Sequence, residues 1–157
     1  MRTLADFVIS PKLSAEAKGY RFLEHITDAE IEAYGSTLEK AFENAGKALE
    51  DTMVDIKTIR PKSEEHIKVE GKDMQELLYA WLESLIAKQD TDGMVYSKFD
   101  CKISRGKNVF TLEATVSGEK FDLKRHEEKT AIKAPTFHQM TINENSIPIK
   151  IHFILDL

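Results

Sequence analysis

Three carboxylates of the sequence could together bind a metal ion: the side chains of Asp28 and Asp156 and the terminal carboxylate of Leu157. Asp28 opens an alternating run through Gly35 that predicts a strand, and period-two alternation places its side chain opposite the apolar residues. Asp156 ends another alternating run, and Leu157 follows it directly. If the two strands are neighbours, a hard divalent cation would relieve the repulsion among these groups. Oxygen-only ligands favour Ca²⁺, and also Mg²⁺ or Mn²⁺, over Zn²⁺.

The alternative interpretation is that these acids are ordinary solvated ends of strands. Asp28 and Asp156 stand near opposite ends of the chain, and spacing alone does not establish that two distant segments meet. Both interpretations stay open at this level.

The five histidines and the single cysteine give weaker indications of chemistry. His25 stands just before Asp28 and could help to activate a water molecule. The other histidines form no HExxH motif or other compact zinc motif; they are His66, His126, His138 and His152. Cys101 alternates with apolar residues, which predicts a small core residue rather than a nucleophile.

Composition limits the classes of protein that need to be considered. The chain has 157 residues, the size of one domain, with 41% apolar and 31% charged residues, as is typical of a globular protein. A net charge of −5 argues against a protein whose main task is to neutralise nucleic-acid phosphates. One cysteine fits a reducing compartment, and no apolar run reaches the roughly 20 residues of a membrane helix. We therefore expect a cytoplasmic protein without membrane contact.

Two amphipathic helices are predicted from apolar residues that recur at intervals of three and four. Ser36 and Glu39 have the spacing of a capping box, with Ser36 as the N-cap of the first helix. Asp73 is the predicted N-cap of the second. The second helix has the denser apolar stripe, with Trp81 near its middle as a predicted core residue.

Alternating residues predict strands before and after these helices. They cover residues 20–24, 29–35, 66–71, 95–103, 110–116, 130–142 and 147–155. Gly118 and Glu119 are predicted to form a turn. The simplest arrangement is a mixed β-sheet with two long helices packed on one face, which is a two-layer sandwich of the α+β class. We expect residues 1–19 to be an N-terminal extension and residues 20–157 to form a single domain.

Several segments together resemble the archease family. The run from Glu24 to Asp28 is similar to the His-Thr-Ala-Asp run that opens the first core strand of archeases. The segments at residues 33–42 and 132–138 resemble the family's first strand–helix unit and its Lys-Ala-Ile-Thr-Tyr-His strand, and Asp156-Leu157 resembles its terminal Asp-Ile. No single segment is specific, but the ordered set spans residues 20–157.

This resemblance implies a function. Archeases are partners of the tRNA-splicing RNA ligase, a metal- and GTP-dependent enzyme, and they promote formation of the ligase–guanylate intermediate and multiple turnover. By resemblance the chain is a non-catalytic activator that meets RNA only through the ligase. The family's metal ligands correspond to Asp28, Asp156 and Leu157, with Ca²⁺ as the first candidate ion. The chain departs from the family pattern at Ile26-Thr27, Glu30, Pro135 and Phe137.

Two other classes of function stay open on the residues alone. A metal-dependent hydrolase or nuclease could use the same carboxylates with His25, although a basic groove is not evident. A general protein or RNA chaperone should expose an apolar patch, and the alternating strands show no surplus apolar face.

Overall fold

The computed structural model describes residues 18–23 and 28–157. Within these ranges the chain forms two long helices, α1 (Leu38–Met53) and α2 (Met74–Asp92), and a short 3-10 helix at Ile56–Thr58. The strands are β1 (Tyr20–Leu23), β2 (Asp28–Gly35), β3 (Ser63–Gly71), β4 (Met94–Arg105), β5 (Phe110–Lys120), β6 (Ala134–Asn143) and β7 (Ile149–Asp156). Over the same ranges, neither long helix has the apolar length that a membrane crossing requires.

The strands form two antiparallel sheets. A four-stranded sheet has the order β1-β2-β7-β6, and a three-stranded sheet has the order β3-β5-β4. The predicted α+β class with two long helices is confirmed. The prediction of one mixed sheet is wrong, because every strand pairs with an antiparallel neighbour and β3, β4 and β5 pair only with one another among the described strands.

Each helix packs against both sheets, so the core lies between the helices and the two inner sheet faces. Helix α1 contacts β2 and β4, and α2 contacts β3 and β6. Trp81 is fully buried in this core, and its indole Nε1 donates a hydrogen bond to the carbonyl oxygen of Phe42 at 2.9 Å. The prediction of Trp81 as a core residue is therefore confirmed.

The two helices begin in the same way, after a glycine that ends a strand. A Cβ atom on Gly35 would lie 2.2 Å from the main-chain nitrogen of Ala41, and one on Gly71 would lie 2.5 Å from that of Leu77. Only glycine allows the strand end to approach the first helical turns so closely. The cap of α1 is Thr37, whose hydroxyl accepts from the Lys40 amide at 3.1 Å, and not Ser36 as predicted.

Two buried glutamates of α1 accept hydrogen bonds from the outer edge of β4. Glu43 accepts from the amide of Cys101 at 2.9 Å, and Glu50 accepts from the amide of Tyr96 at 3.3 Å. Unpaired amides at a sheet edge otherwise invite pairing with another chain. Helix α1 thus covers this edge with side-chain acceptors.

Three predicted boundaries differ from the structure by three residues or more. Gly118 and Glu119 lie within β5 and not in a turn, because the chain continues antiparallel to β4. A Cβ on Gly118 would lie 1.9 Å from the carbonyl oxygen of Val95, so glycine permits close contact beside the β4 bulge. Strand β6 begins at Ala134, later than predicted, and β3 begins earlier, at Ser63.

We predict that Gly35→Ala destabilises the protein by about 1 to 3 kcal/mol, because the new methyl group must displace main-chain atoms of α1. Gly93→Ala is the control: no atom lies within 4 Å of its Cβ position, and only its φ of 66° opposes a side chain, at a cost of about 1 kcal/mol. Urea denaturation measures both free energies of unfolding. Equal losses in the two variants would contradict the close contact.

The buried Glu50 should make the stability of the protein depend on pH. Its side chain is fully buried, and Oε2 accepts no hydrogen bond from any described residue. Burial raises the pKa of this carboxyl group well above its ordinary value, against the opposing effect of the Tyr96 amide. The folded state therefore keeps a proton that the unfolded state loses, and stability falls as pH rises above the unfolded pKa, by about 1.4 kcal/mol for each pH unit until the folded pKa is reached.

Glu50→Gln should reduce that loss of stability between about pH 5 and pH 8, since an amide does not titrate. Glu83→Gln, which removes an exposed carboxyl group of α2, should keep the wild-type pH profile. Denaturation curves across this range measure the effect. A wild-type slope in the Glu50→Gln variant would contradict the prediction.

Candidate metal centre

The antiparallel pairing of β2 with β7 places Asp28 directly opposite Asp156. Directly paired residues have side chains on the same face, with Cβ atoms about 5 Å apart. Asp156 is exposed and Asp28 is partly exposed, whereas Leu155, one residue earlier on β7, is fully buried on the core face. Two carboxylates therefore lie side by side at the solvent face of one end of the sheet.

Strand β6 completes this end of the sheet on the other side of β7. Ala134 pairs with Asp156, and the Lys133 amide donates to the Asp156 carbonyl oxygen at 2.8 Å. The row across the three strands is thus Asp28, Asp156 and Ala134, so a methyl side chain stands beside the two carboxylates. Leu157 is half-buried and packs against the core, which fixes the segment after Asp156.

His152 pairs with Glu32 in the register of β2 and β7, and its ring connects Glu30, in the row next to the aspartates, to β6. Its Nε2 lies 2.5 Å from a Glu30 carboxylate oxygen, and its Nδ1 lies 2.7 Å from the carbonyl oxygen of Gln139. Gln139 has a φ of 57° within the irregular part of β6, a conformation that few non-glycine residues adopt. The ring thereby ties β2 to β6 across β7. Its spacing in the sequence predicts an isolated surface or half-buried residue. The side chain is half-buried, at 15% exposure, but it is not isolated, because it has two partners.

In the third row of this face, the negative charge of Glu32 is compensated by its neighbours. Glu32 accepts from Arg21 at 2.6 Å and from the Tyr34 hydroxyl at 2.7 Å. Burial opposes ionisation of Glu32, but the hydrogen bonds from Tyr34 and Arg21 and the charge of Lys150 outweigh it, so the pKa of Glu32 is lowered. The pKa of Tyr34 is raised to about 12 by burial and by the Glu32 carboxylate.

A second buried cluster anchors the loop that leads into β6. His126 is 3% exposed; its Nδ1 accepts from the Asp122 amide at 2.8 Å, and its Nε2 donates to Glu119 at 2.8 Å. Glu119 also accepts from Arg125 and from the Arg60 amide. Partial burial opposes ionisation, but these donors lower the pKa of Glu119 to about 2. The cluster is internally satisfied and positions the loop before Lys133.

The remaining candidates lie apart from the two aspartates or outside the described residues. Residues 24–27, which include His25, are not among the described residues. The role of His25 in activating a water molecule therefore stays a prediction. Cys101 is 3% exposed, and burial, followed by the nearby Glu43 carboxylate, raises the pKa of its thiol, as expected of a core residue. His66 contacts Thr115 on the outer face of the three-stranded sheet.

The described residues contain no cluster of three His, Cys, Asp or Glu side chains suited to a metal ion. The predicted centre therefore depends on a main-chain carboxylate, that of Leu157, as the third donor beside Asp28 and Asp156. Sequence reasoning missed the Glu30–His152 and Glu119–His126 contacts, because each joins residues of different strands or loops with no common spacing.

Comparisons with known proteins identify the family of the chain. Residues 20–157 match the family model described as Archease protein family (MTH1598/TM1083). The protein archease of Sulfurisphaera tokodaii is 41% identical over 138 residues, covering 88% of this chain and 98% of the relative. The protein archease of Pyrococcus furiosus is 43% identical over 119 residues, covering 76% and 84%.

A solved structure has the same fold. The solution structure of Methanobacterium thermoautotrophicum protein 1598 superposes with a TM-score of 0.78 at 36% identity, covering 89% of this chain and 99% of that protein. Family model, relatives and structure each extend over most of the sequence. The chain therefore belongs to the archease family.

Proposed function

We propose that this chain is a non-catalytic activator of the tRNA-splicing RNA ligase, which promotes ligase guanylylation and multiple turnover through a divalent cation held by Asp28, Asp156 and the carboxylate of Leu157. Family membership supports the ligase as partner. The observation that carries the role of the carboxylates is the register of β2 and β7, which pairs Asp28 with Asp156.

The donor set fits a hard cation. Like charges directly opposite in a sheet are destabilising, and carboxylate oxygens are the ligands that Ca²⁺ and Mg²⁺ prefer. Ca²⁺ is our first candidate because it accepts irregular sets of oxygen ligands, whereas Mg²⁺ demands near-octahedral geometry. When bound, the cation would neutralise the aspartate pair and supply a Lewis-acidic centre at this end of the sheet.

The chain's own residues would position this centre for a partner. Leu157 packs on the core and Lys133 donates to the Asp156 carbonyl, so the carboxylates sit on ordered main chain. The Glu30–His152–Gln139 contact braces the three strands behind them. A net charge of −5 suits docking beside a basic RNA-binding surface by electrostatic complementarity, and RNA would be reached only through the ligase.

We predict that Asp156→Asn and Asp28→Asn each keep the fold and abolish stimulation of ligase guanylylation, because each removes a carboxylate from the centre. The measurement is the rate of ligase–guanylate formation with labelled GTP, with and without the variant. Asp100→Asn removes an exposed aspartate on β4 of the other sheet and should stimulate as the wild type does. Full stimulation by either site variant would exclude the proposed centre.

Cation binding should also stabilise the folded protein. Saturating Ca²⁺ should raise the free energy of unfolding of the wild type, by about 2.7 kcal/mol at a concentration 100 times the Kd. Asp156→Asn should show no such gain, and in chelator it should be at least as stable as the wild type, since like charges directly opposite in a sheet are destabilising.

A chain extended by two glycines after Leu157 tests the third donor separately. This extension keeps every side chain but moves the terminal carboxylate, so we expect a weaker response to Ca²⁺ with unchanged stability in chelator. An extended chain that responds to Ca²⁺ like the wild type would remove Leu157 from the centre. Thermal or urea denaturation in Ca²⁺ and in chelator measures both quantities.

A further inference from the structure

A cavity lies at the opposite end of β2 from the aspartate pair. Its volume is about 520 Å³, within the range of small-molecule sites. Asp28 and Gly35 stand at the two ends of this eight-residue strand, so about 23 Å separates the cavity from the aspartates. The cavity is therefore distinct from the candidate metal centre.

One wall of this cavity is basic. Lys40, Asn44 and Lys47 lie on one face of α1, at intervals of four and three residues, and Lys18 stands beside them. No carboxylate of the described residues lines the cavity, whereas the cavities around His66 and Arg125 have linings of both signs. In a chain of net charge −5, this is a local concentration of positive charge.

The three lysines of this cavity differ in their partners. Lys40 pairs with Glu43 at 3.2 Å, and the ammonium group of Lys18 lies 5.4 Å from the centroid of the Tyr20 ring. No ion pair connects Lys47 to a carboxylate within residues 18–23 and 28–157. Positively charged side chains that line one cavity repel each other, and a doubly charged phosphate would relieve this repulsion and accept hydrogen bonds from them. Ser36, at the start of α1, adds a hydroxyl donor.

The facing wall is largely apolar. It consists of Tyr34 and the segment Ile147–Ile149, and the side chain of Ile147 is fully exposed at the rim. A ligand that covers this isoleucine would remove its apolar surface from water, which favours binding. A ligand with a phosphate at one end and a flat ring at the other would satisfy both walls.

We propose that this cavity binds a nucleoside phosphate, with the phosphate on Lys18, Lys40 and Lys47 and the base against Ile147 and Pro148. The two walls together select this class: inorganic phosphate would leave Ile147 exposed, and a nucleoside without phosphate would leave Lys47 without a counter-ion. The site is independent of the proposed metal centre and of the ligase.

The test is an NMR titration of the isotopically labelled full chain with AMP and GMP. Adenosine and inorganic phosphate are titrated separately, as probes of the two halves of the ligand, the nucleoside and the phosphate. We expect chemical-shift changes centred on Ser36, Lys47 and Ile149, with either half binding at least about tenfold more weakly than the nucleotides. Absence of binding at millimolar nucleotide, or shifts centred elsewhere, would overturn the proposal. Inorganic phosphate that binds as tightly as AMP would overturn the nucleoside assignment.

Single substitutions test the contribution of each wall of the cavity to AMP binding. Lys47→Gln should weaken AMP binding about tenfold, the loss expected for one charge-assisted hydrogen bond, while Lys107→Gln, which removes an exposed lysine from the β4–β5 hairpin, should not. Ile147→Ser should weaken AMP binding but leave phosphate binding unchanged. Unchanged AMP affinity in Lys47→Gln would overturn the site. Asp156→Asn should keep full AMP affinity, so failure of the metal centre and failure of this cavity are distinguishable.

Discussion

The antiparallel pairing of β2 with β7 is the constraint on which the rest of the molecule depends. It joins a strand near the start of the domain to the last strand, and its register runs without a break from Asp28–Asp156 to Gly35–Ile149. On one face this register aligns Ile31 with Phe153, both fully buried. On the other face it aligns the two aspartates. A slip of one residue would exchange the faces, so core packing and the acidic pair are fixed together.

Carboxylates do two different tasks in this fold. Glu43 and Glu50 are buried and accept main-chain amides of β4, which is an edge strand of the three-stranded sheet in the part of the chain that the structure describes. Asp28 and Asp156 lie at the solvent face, where two negative groups are placed opposite each other. The buried acids have a structural role, because they accept hydrogen bonds from the edge of β4. Two acids paired at a surface repel each other, and a cation or a cationic partner can relieve this repulsion.

The two ends of β2 differ in charge. At one end lie the aspartates with Leu157, and at the other lies the cavity lined by lysines from α1 and the apolar segment before β7. Between them, the Glu30–His152 and Arg21–Glu32 contacts tie the outer face together. The length of β2 thus separates the two aspartates from the lysines by more than the Debye length, which is roughly 8 Å at physiological ionic strength.

The sequence by itself determined the local elements, the family and the acids worth testing. Helices α1 and α2, the cap at Asp73 and the core position of Trp81 follow from periodicity and capping, which act over a few residues. The tertiary structure alone decided that the strands divide into two antiparallel sheets, that Asp28 faces Asp156, and that His152 reaches Glu30 and Gln139. The physical reason is that alternation specifies which face a side chain takes, while strand order and register depend on contacts between segments far apart in the chain. The basic cavity shows the same limit, because Lys18, Lys47 and Ile147 share no spacing and meet only once β2, α1 and β7 have packed.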